Sequence, residues 1–561
     1  MNQRTLRFWL LVANALALVV LINLAAQHVF FRWDLTEEKK YSIQPATRTV
    51  LQSLRQPVFV EVFLAGDLNA GFTRLQKSIR ETLREFQVYS NNQVQFIFTD
   101  PLQAKSRQAQ SEFISALAEY GIKPINIVEN KNGQRMERLT FPGATITMNG
   151  VVSGVNLLKG NRALSSQEVL NQSVEGVEFE LINAIYKVAN EQPKKILWLT
   201  GHGELEGLPV AGFTAALEEQ YVMERLSLED VAALPPADLA IVAKPTRPFS
   251  ERDVFKLDQY IMRGGKILWL VDALDANMDS ATFENYFAMP VTLGLENAFF
   301  KYGVRVNSDL VQDRFSAMYP IVTGTVNGRP QMQPIPWPFF PLVNNYSDHP
   351  ITRNLDAVYT RFISSIDTVK AEGVKKTVLF ASTPYSRKLT APVKINANDL
   401  RKPGVDSAFR AGVIPLAYLL EGQFTSVFKN RFLPDGATGQ HFLDQSKPTK
   451  MVVIGDGDIF RNPVRDGKAL PLGQDPFAEY TFANEQLAMN IVAYLTDEKG
   501  LIQARGKQVK MRPLDPAKVQ ADGLFWQVVN LAGPIVFWLM AGLAFQWIRK
   551  RKYASFTSHV A

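Results

Sequence analysis

Two apolar runs, one near each end of the chain, constrain its folding more than anything between them. The first, FWLLVANALALVVLINLAAQHVFF at residues 8–31, holds no formally charged side chain, and the second, LFWQVVNLAGPIVFWLMAGLAFQWI, covers residues 524–548. Each reaches the roughly 20 residues that a helix needs to cross the hydrocarbon core of a bilayer. The first is too long for the h-region of a cleaved signal peptide and lacks an A-x-A site at its end, so it reads as a retained signal anchor. Trp526 and Trp547 stand where membrane interfaces collect aromatics, and Arg549-Lys550-Arg551-Lys552 follows at once, which keeps that end in the cytoplasm. Two spans put both termini on the cytoplasmic side of an inner membrane and residues 32–523 in the periplasm. Within the second span, Asn530, Gly533, Pro534 and Gly542 are the small and polar residues suited to helix–helix contact within a membrane complex.

This topology also accounts for the charge. Of the net +7, two arginines precede the first run and four basic residues follow the second, which leaves +1 for everything else. A nearly neutral exterior argues against a nucleic-acid partner, because such binders concentrate positive charge on one face. The chain has no cysteine, which excludes disulfides, catalytic thiols and thiolate metal sites. At 561 residues it is also too long for one ordinary core.

Between the runs, hydrophobic periodicity predicts two α/β units. Residues 32–56 form a coupling element in which Thr36 and Ser42 can cap helices and Pro45 sits early in a helical pattern. From Pro57, VFVEVFLA reads as a strand, FTRLQKSIRETLREFQVYS as an amphipathic helix and VQFIFTDP as a second strand, a βαβ arrangement. Alternating segments follow, broken by the hairpin signals Asn132-Gly133 and Asn149-Gly150. Residues 57–165 therefore suggest a small mixed-sheet domain of thioredoxin-like outline that cannot do thiol chemistry. Residues 166–502 make the larger domain, opening on the helical SQEVLNQSVEGVEFELINAIYKVAN. There KKILWLTG, YVMERLSL, ADLAIVAKP and KILWLVDAL alternate with helices at about 209–220 and over SERDVFKLDQYIMRGG, the pattern of an open, mainly parallel, doubly wound sheet. The stretch PQMQPIPWPFFPLV reads as irregular, strands return at KTVLFAS and KMVVIGDGD, and the helix FANEQLAMNIVAYL closes the domain. Residues 503–523 are a linker, and 549–561 a basic tail.

Ligands of open parallel sheets bind beyond the carboxyl ends of the strands. Three strand ends carry acidic or imidazole groups: Gly201-His202-Gly203-Glu204, Asp272, and Gly455-Asp456-Gly457-Asp458. If those strands are neighbours, His202, Glu204, Asp272, Asp456 and Asp458 form a ligand or partner surface suited to a hard metal or sugar hydroxyls. The bland alternative is that the glycines permit tight exits from strands while the acids cap helices. KILWLTGHGELEG is not a phosphate cradle, since its spacing is G-x-G-x-x-x-G and Glu204 and Glu206 would repel an anion. Nor is it a nucleophile elbow, because Gly203 stands where G-x-S-x-G needs serine. No G-K-[ST] is present, so ATP hydrolysis by the P-loop route is excluded. His28, His349, His441 and His559 show no ligand spacing.

Both apolar runs, the lead-in RWDLTEEKKYSI, the segment LAGDLNAGFTRLQKSIRETLREFQVYSNNQVQFIFTDP, the turn ILWLTGHGE and VVIGDGDIFRNP together resemble the GldG family, the gliding-motility ABC-transporter auxiliary proteins of Bacteroidetes. The resemblance spans nearly the whole chain and rests on the order of the motifs within the two-span frame. It implies a periplasmic domain of flavodoxin and glutamine-amidotransferase-like fold without the catalytic cysteine, in a lineage shared with an intraflagellar-transport domain. It also implies a multispanning permease and a separate cytoplasmic ATPase as partners. It carries no catalytic, cofactor or metal residue. The expectation is thus a non-enzymatic subunit whose exterior meets substrate, an envelope protein or the cell wall, with a second copy of the chain as a further candidate partner. A membrane-anchored saccharide- or peptide-binding module is the alternative, and a hydrolase built on His202 and the acidic strand ends is the third.

Overall fold

The computed structural model describes residues 42–506 and 516–553, apart from short stretches within the first range, the longest being 398–405. Of the first 41 residues it describes Trp9, Ala13, Asn14, Leu16, Ala17 and Leu18. The chain divides into two compact units, Met1–Lys507 and Gln508–Ala561.

The first unit holds two large sheets. In the smaller, the strands run in the order Val94–Phe98, Val58–Val62, Gly143–Met148 and Val151–Asn156, with the first pair parallel and the others antiparallel. Alternation sets its faces: Val58, Val60 and Val62 are buried, while Phe59 between them is exposed. The crossover helix Ala70–Tyr89 is capped by the Asn69 side chain, which accepts the Phe72 amide, and lays Phe72, Leu75, Ile79, Leu83 and Phe86 on the sheet at helical spacing. Asn149 and Gly150 both take the left-handed conformation a two-residue hairpin requires. Asn132-Gly133 lie outside the described residues, although the strands on either side, Ile125–Lys131 and Gln134–Thr140, pair with each other.

The 24-residue helix Ser166–Ala189, assigned on its sequence to the larger domain, packs against this smaller sheet. Leu170, Val177, Leu181 and Ile185 face the same core as Val60 and Leu75. Glu178 fixes the coupling segment to it, accepting the Gln44 amide at 2.6 Å and the Thr47 hydroxyl at 2.8 Å. That segment is the helix Pro45–Ser53, whose Leu51 enters the same core together with Leu501 from far along the chain.

The larger sheet has eight strands in the order Asn345–Tyr346, Val374–Ala381, Pro415–Gly422, Thr449–Ile454, Ile267–Leu270, Leu239–Ala243, Lys195–Thr200 and Val222–Ser227. The last five are parallel. The first three are antiparallel additions, so the sheet is mixed where periodicity suggested mainly parallel. The physical reason is the connection: parallel neighbours need a long crossover, usually a helix, and the chain from Val374–Ala381 to Pro415–Gly422 passes through short strands instead. Both faces are covered. Trp198, Ile241, Leu268 and Val452 meet Phe213 of the helix Ala211–Glu218 and Leu487 of the helix Asn484–Thr496. Leu197, Val242, Trp269 and Val453 meet Phe255 of the helix Glu251–Met262 on the other side.

PQMQPIPWPFFPLV is not irregular. It is most of the strand Arg329–Val343, paired with Ser316–Val326 in a long ribbon. Pro334 faces Pro320, and Pro336, two residues on, faces Met318, so the missing N–H groups point away from the ladder, where they cost no hydrogen bond.

The second unit holds the helix Pro516–Tyr553, of which Phe525–Lys552 is long and apolar enough to cross a membrane. Among the described residues it is the one such helix; the expected N-terminal span at 8–31 lies largely outside them. Pro534 sits inside this helix and supplies no N–H to the carbonyl of Asn530.

Phe213 is fully buried between Trp198, at 5.8 Å between ring centroids, and Phe460, at 5.2 Å. Phe213→Ala opens a cavity there and is expected to cost about 3–5 kcal/mol, read as a lowered urea midpoint for loss of tryptophan fluorescence.

Candidate functional site

The chain runs from Lys195–Thr200 to its neighbour Val222–Ser227 on one side, then crosses to Leu239–Ala243 on the other. The strand order therefore reverses between Lys195–Thr200 and Leu239–Ala243, and an open sheet of this kind places its ligand crevice beyond that point. Here the two loops beyond it bond to each other. The carbonyl of His202 accepts the amides of Thr246 and Arg247, each at 2.9 Å, and Ala243 accepts the amide of Leu205 at 2.9 Å. Arg247 donates through Nη2 to the carbonyl of Gly201 at 2.9 Å, and Thr246 through Oγ1 to that of Gly203 at 3.1 Å. Gly203 is required twice over: its φ is +75°, and a Cβ there would stand 2.2 Å from Thr246 Oγ1.

His202 is buried beneath this seam and stacks on Phe249 at 3.8 Å. Its amide donates to Glu204 Oε2 at 2.6 Å, and its ring lies between two carboxylates, with Nε2 at 3.3 Å from Asp253 Oδ2 and Nδ1 at 3.6 Å from Glu204 Oε1. Asp253 belongs to the first turn of the helix Glu251–Met262, where the Ser250 side chain caps its amide, and Lys256 holds its other oxygen at 2.8 Å. Burial works against the imidazolium, but Glu204 and Asp253 outweigh it and raise the His202 pKa above 6.5. For Asp253, burial opposes ionisation and is overcome by Lys256, Ser250 and His202, which hold its pKa low.

Asp272, Asp456 and Asp458 form a separate group, closed on Lys244. Lys244 Nζ pairs with Asp272 Oδ2 at 3.0 Å and with Asp458 Oδ2. Arg461 reaches Asp458 Oδ1 at 3.1 Å. Asp456 has no exposed surface and accepts the amides of Arg361 and Asp458, each at 2.8 Å, while Asp272 accepts the amide of Gly457 at 2.5 Å. Burial disfavours the charge on Lys244, yet the two aspartates raise its pKa above the ordinary lysine value. Burial, and then repulsion from Asp272 and Asp458, push Asp456 well above the usual carboxylate range. Asp272 rises with burial despite Lys244, whereas Asp458 is held low because Lys244 and Arg461 overcome its burial.

The five residues singled out in the sequence thus fall into two clusters, His202 with Glu204 and the three aspartates together. Among the described residues no three His, Asp or Glu side chains are placed to hold a metal ion. The cations were missed. Ser250-x-x-Asp253 is a legible capping signal for one carboxylate, but nothing local marks Lys244 or Arg361 as its cluster's counter-ions. His349, half-buried with its pKa lowered to about 4 by burial, accepts the Ile351 amide at 3.3 Å within a turn. His28, His441 and His559 lie outside the described residues.

A sheet clad on both faces, with its switch-point crevice bonded shut and its strand-end acids neutralised internally, defines an α/β fold in a chain that also holds an apolar helix of membrane-spanning length. The family model described as an ABC-type uncharacterized transport system, of the auxiliary kind, matches residues 193–491, more than half of the chain, and the chain belongs to that family of ABC transporter auxiliary proteins. Membership implies association with the other components of an ABC transport system, and with the apolar helix it implies association with a membrane. A second model, for a domain of unknown function (DUF7088), matches residues 37–147. No curated protein matches the chain. Among solved structures, the N-terminal domain of mmIFT52 is similar at 15% identity, covering 54% of this chain and 97% of its own, with a TM-score of 0.29.

Removing the shared cation leaves buried carboxylates unpaired. Lys244→Met is expected to cost about 3–5 kcal/mol at neutral pH. A carboxyl whose pKa is higher folded than unfolded adds stability below the unfolded value and loses it as pH rises through the folded one. Asp272 and Asp456 are such groups, so the Lys244→Met deficit shrinks as pH falls toward about 4, measured as the difference in thermal midpoint from the unaltered protein.

Proposed function

We propose that this protein is a non-catalytic auxiliary subunit of an inner-membrane ABC transporter of the gliding-motility type. Residues 32–523 lie in the periplasm, and a separate permease and a cytoplasmic ATPase supply transport. The observation that carries this reading is the family match over residues 193–491. Support comes from the ends of the first unit: the helix Pro45–Ser53 and the turn Leu501–Gly506 enter one core through Leu51 and Leu501. The two segments that lead to the apolar runs therefore leave the unit side by side, as a chain with both ends directed to one membrane requires. The bonded crevice and the neutralised aspartates favour a structural over a catalytic role. We read the smaller sheet as thioredoxin-like, the larger as amidotransferase-like, and Asn530, Gly533, Pro534 and Gly542 as candidates for contact with the permease.

Mild-detergent purification of the tagged full-length chain tests this. A multispanning permease and a P-loop ATPase are expected in fixed ratio with it, and deletion of residues 516–561 is expected to release both. Recovery of the chain by itself under conditions that keep other membrane complexes intact would sink the reading.

A further inference from the structure

The buried pair His202 and Glu204 holds two polar atoms that meet nothing but each other. Nδ1 of the ring and Oε1 of the carboxylate are both inaccessible and without a hydrogen-bond partner, and they lie 3.6 Å apart. Neutral imidazole has one N–H, so with Nε2 turned to Asp253 at 3.3 Å its Nδ1 would present a lone pair to a carboxylate oxygen. Protonated imidazole donates from both nitrogens, and each then faces an acceptor. The arrangement is built for the cation.

What that cation holds is the seam over the switch point. The His202 carbonyl takes the amides of Thr246 and Arg247, its amide binds Glu204, and its ring lies flat on Phe249. One residue thus joins the loop after Lys195–Thr200 to the segment after Leu239–Ala243 and to the first turn of the helix Glu251–Met262. The charged groups facing it from these elements are Glu204 on its own loop, Arg247 on the second segment, and Asp253 with its partner Lys256 on the helix. Arg247 is committed to the Gly201 carbonyl and Lys256 to Asp253, so neither takes the place of the imidazole proton.

We propose that His202 is a proton-operated latch on the strand-end crevice: as imidazolium it clamps residues 201–207 to residues 244–253, and on losing its proton it releases them. The sign follows from the two carboxylates. A histidine whose pKa is higher in the fold contributes fully below its unfolded value of 6.5, and that contribution is lost as pH rises through the folded value. The crevice is therefore closed below that unfolded value and opens as pH rises through the folded one.

Hydrogen exchange on the full-length chain in detergent, corrected for the intrinsic pH dependence of exchange, tests the latch. Between pH 6 and about 9, protection of residues 201–207 and 244–250 is expected to fall by up to about tenfold for each unit of pH between 6.5 and the folded pKa and to level off above it, while the strand Ile267–Leu270 keeps its protection. Glu204→Gln supplies an amide donor to the neutral ring and an acceptor to the His202 amide, so its seam should stay protected across the range. If that variant does not fold, His202→Gln, which has no proton to lose, should show protection independent of pH. Constant protection in the unaltered protein, or a fall in either variant parallel to it, overturns the proposal.

Discussion

The paired charges around Lys244 are the constraint on which the strand-end edge of the larger sheet depends. Three neighbouring parallel strands end there, and two of them deliver Asp272, Asp456 and Asp458 into a nearly dry space. Carboxylates so placed cannot all ionise without cations among them. The third strand supplies the main one: Lys244 directly follows Leu239–Ala243 and takes φ of +53°, a left-handed conformation that costs a non-glycine residue roughly 1–2 kcal/mol. The cost is tolerated because that backbone carries the ammonium back to Asp272 and Asp458. A residue with a shorter side chain, or one in an ordinary conformation, would leave the aspartates facing one another. Gly457 fits beside this group for the same reason, since a Cβ there would lie 2.7 Å from the Lys244 stem.

Closure of the same edge at the switch point follows a related logic. In sheets of this topology the crevice between the diverging loops is where backbone amides and strand-end side chains stay free for a ligand. Here those amides are spent on the His202 carbonyl and the side chains on one another. An edge satisfied from within leaves its polar groups committed to one another while the seam is closed.

Much of the scaffold was legible because burial enforces period. KILWL and its near copy place alternate residues into two different cores, and Asn149-Gly150 turns the chain as only such a pair does readily. What was not legible depends on partners distant in sequence. PLAYLLEG is a central strand, yet its alternation is blurred by burial on both faces, and its antiparallel direction is set by a connection without a crossover helix. The proline-rich stretch looked irregular because proline is usually read residue by residue. Spaced two apart on one strand, prolines leave the other row of N–H groups intact, and a strand survives. Histidine and acids at the strand ends could be named from sequence, but their division into two clusters could not, because Asp253 and Lys244 decide it and neither lies in a motif with the residues it pairs.

The helix Ser166–Ala189 joins these parts. Its stripe of Leu170, Val177, Leu181 and Ile185 completes the smaller core. Phe179, between those positions, packs with Ile502 and Ala504 and against Tyr494 of the last helix over the larger sheet. Glu175 Oε2 accepts from the Asn354 side-chain Nδ2 at 2.9 Å across the same boundary. A single helix thus presents different faces to two cores, so a displacement at either end of the unit, where Leu51 and Leu501 meet, cannot be absorbed by one sheet alone. Displacement of that shared corner must move the helix as a whole, because its buried side chains are close-packed on both sides and a packed core shifts between discrete arrangements instead of deforming smoothly.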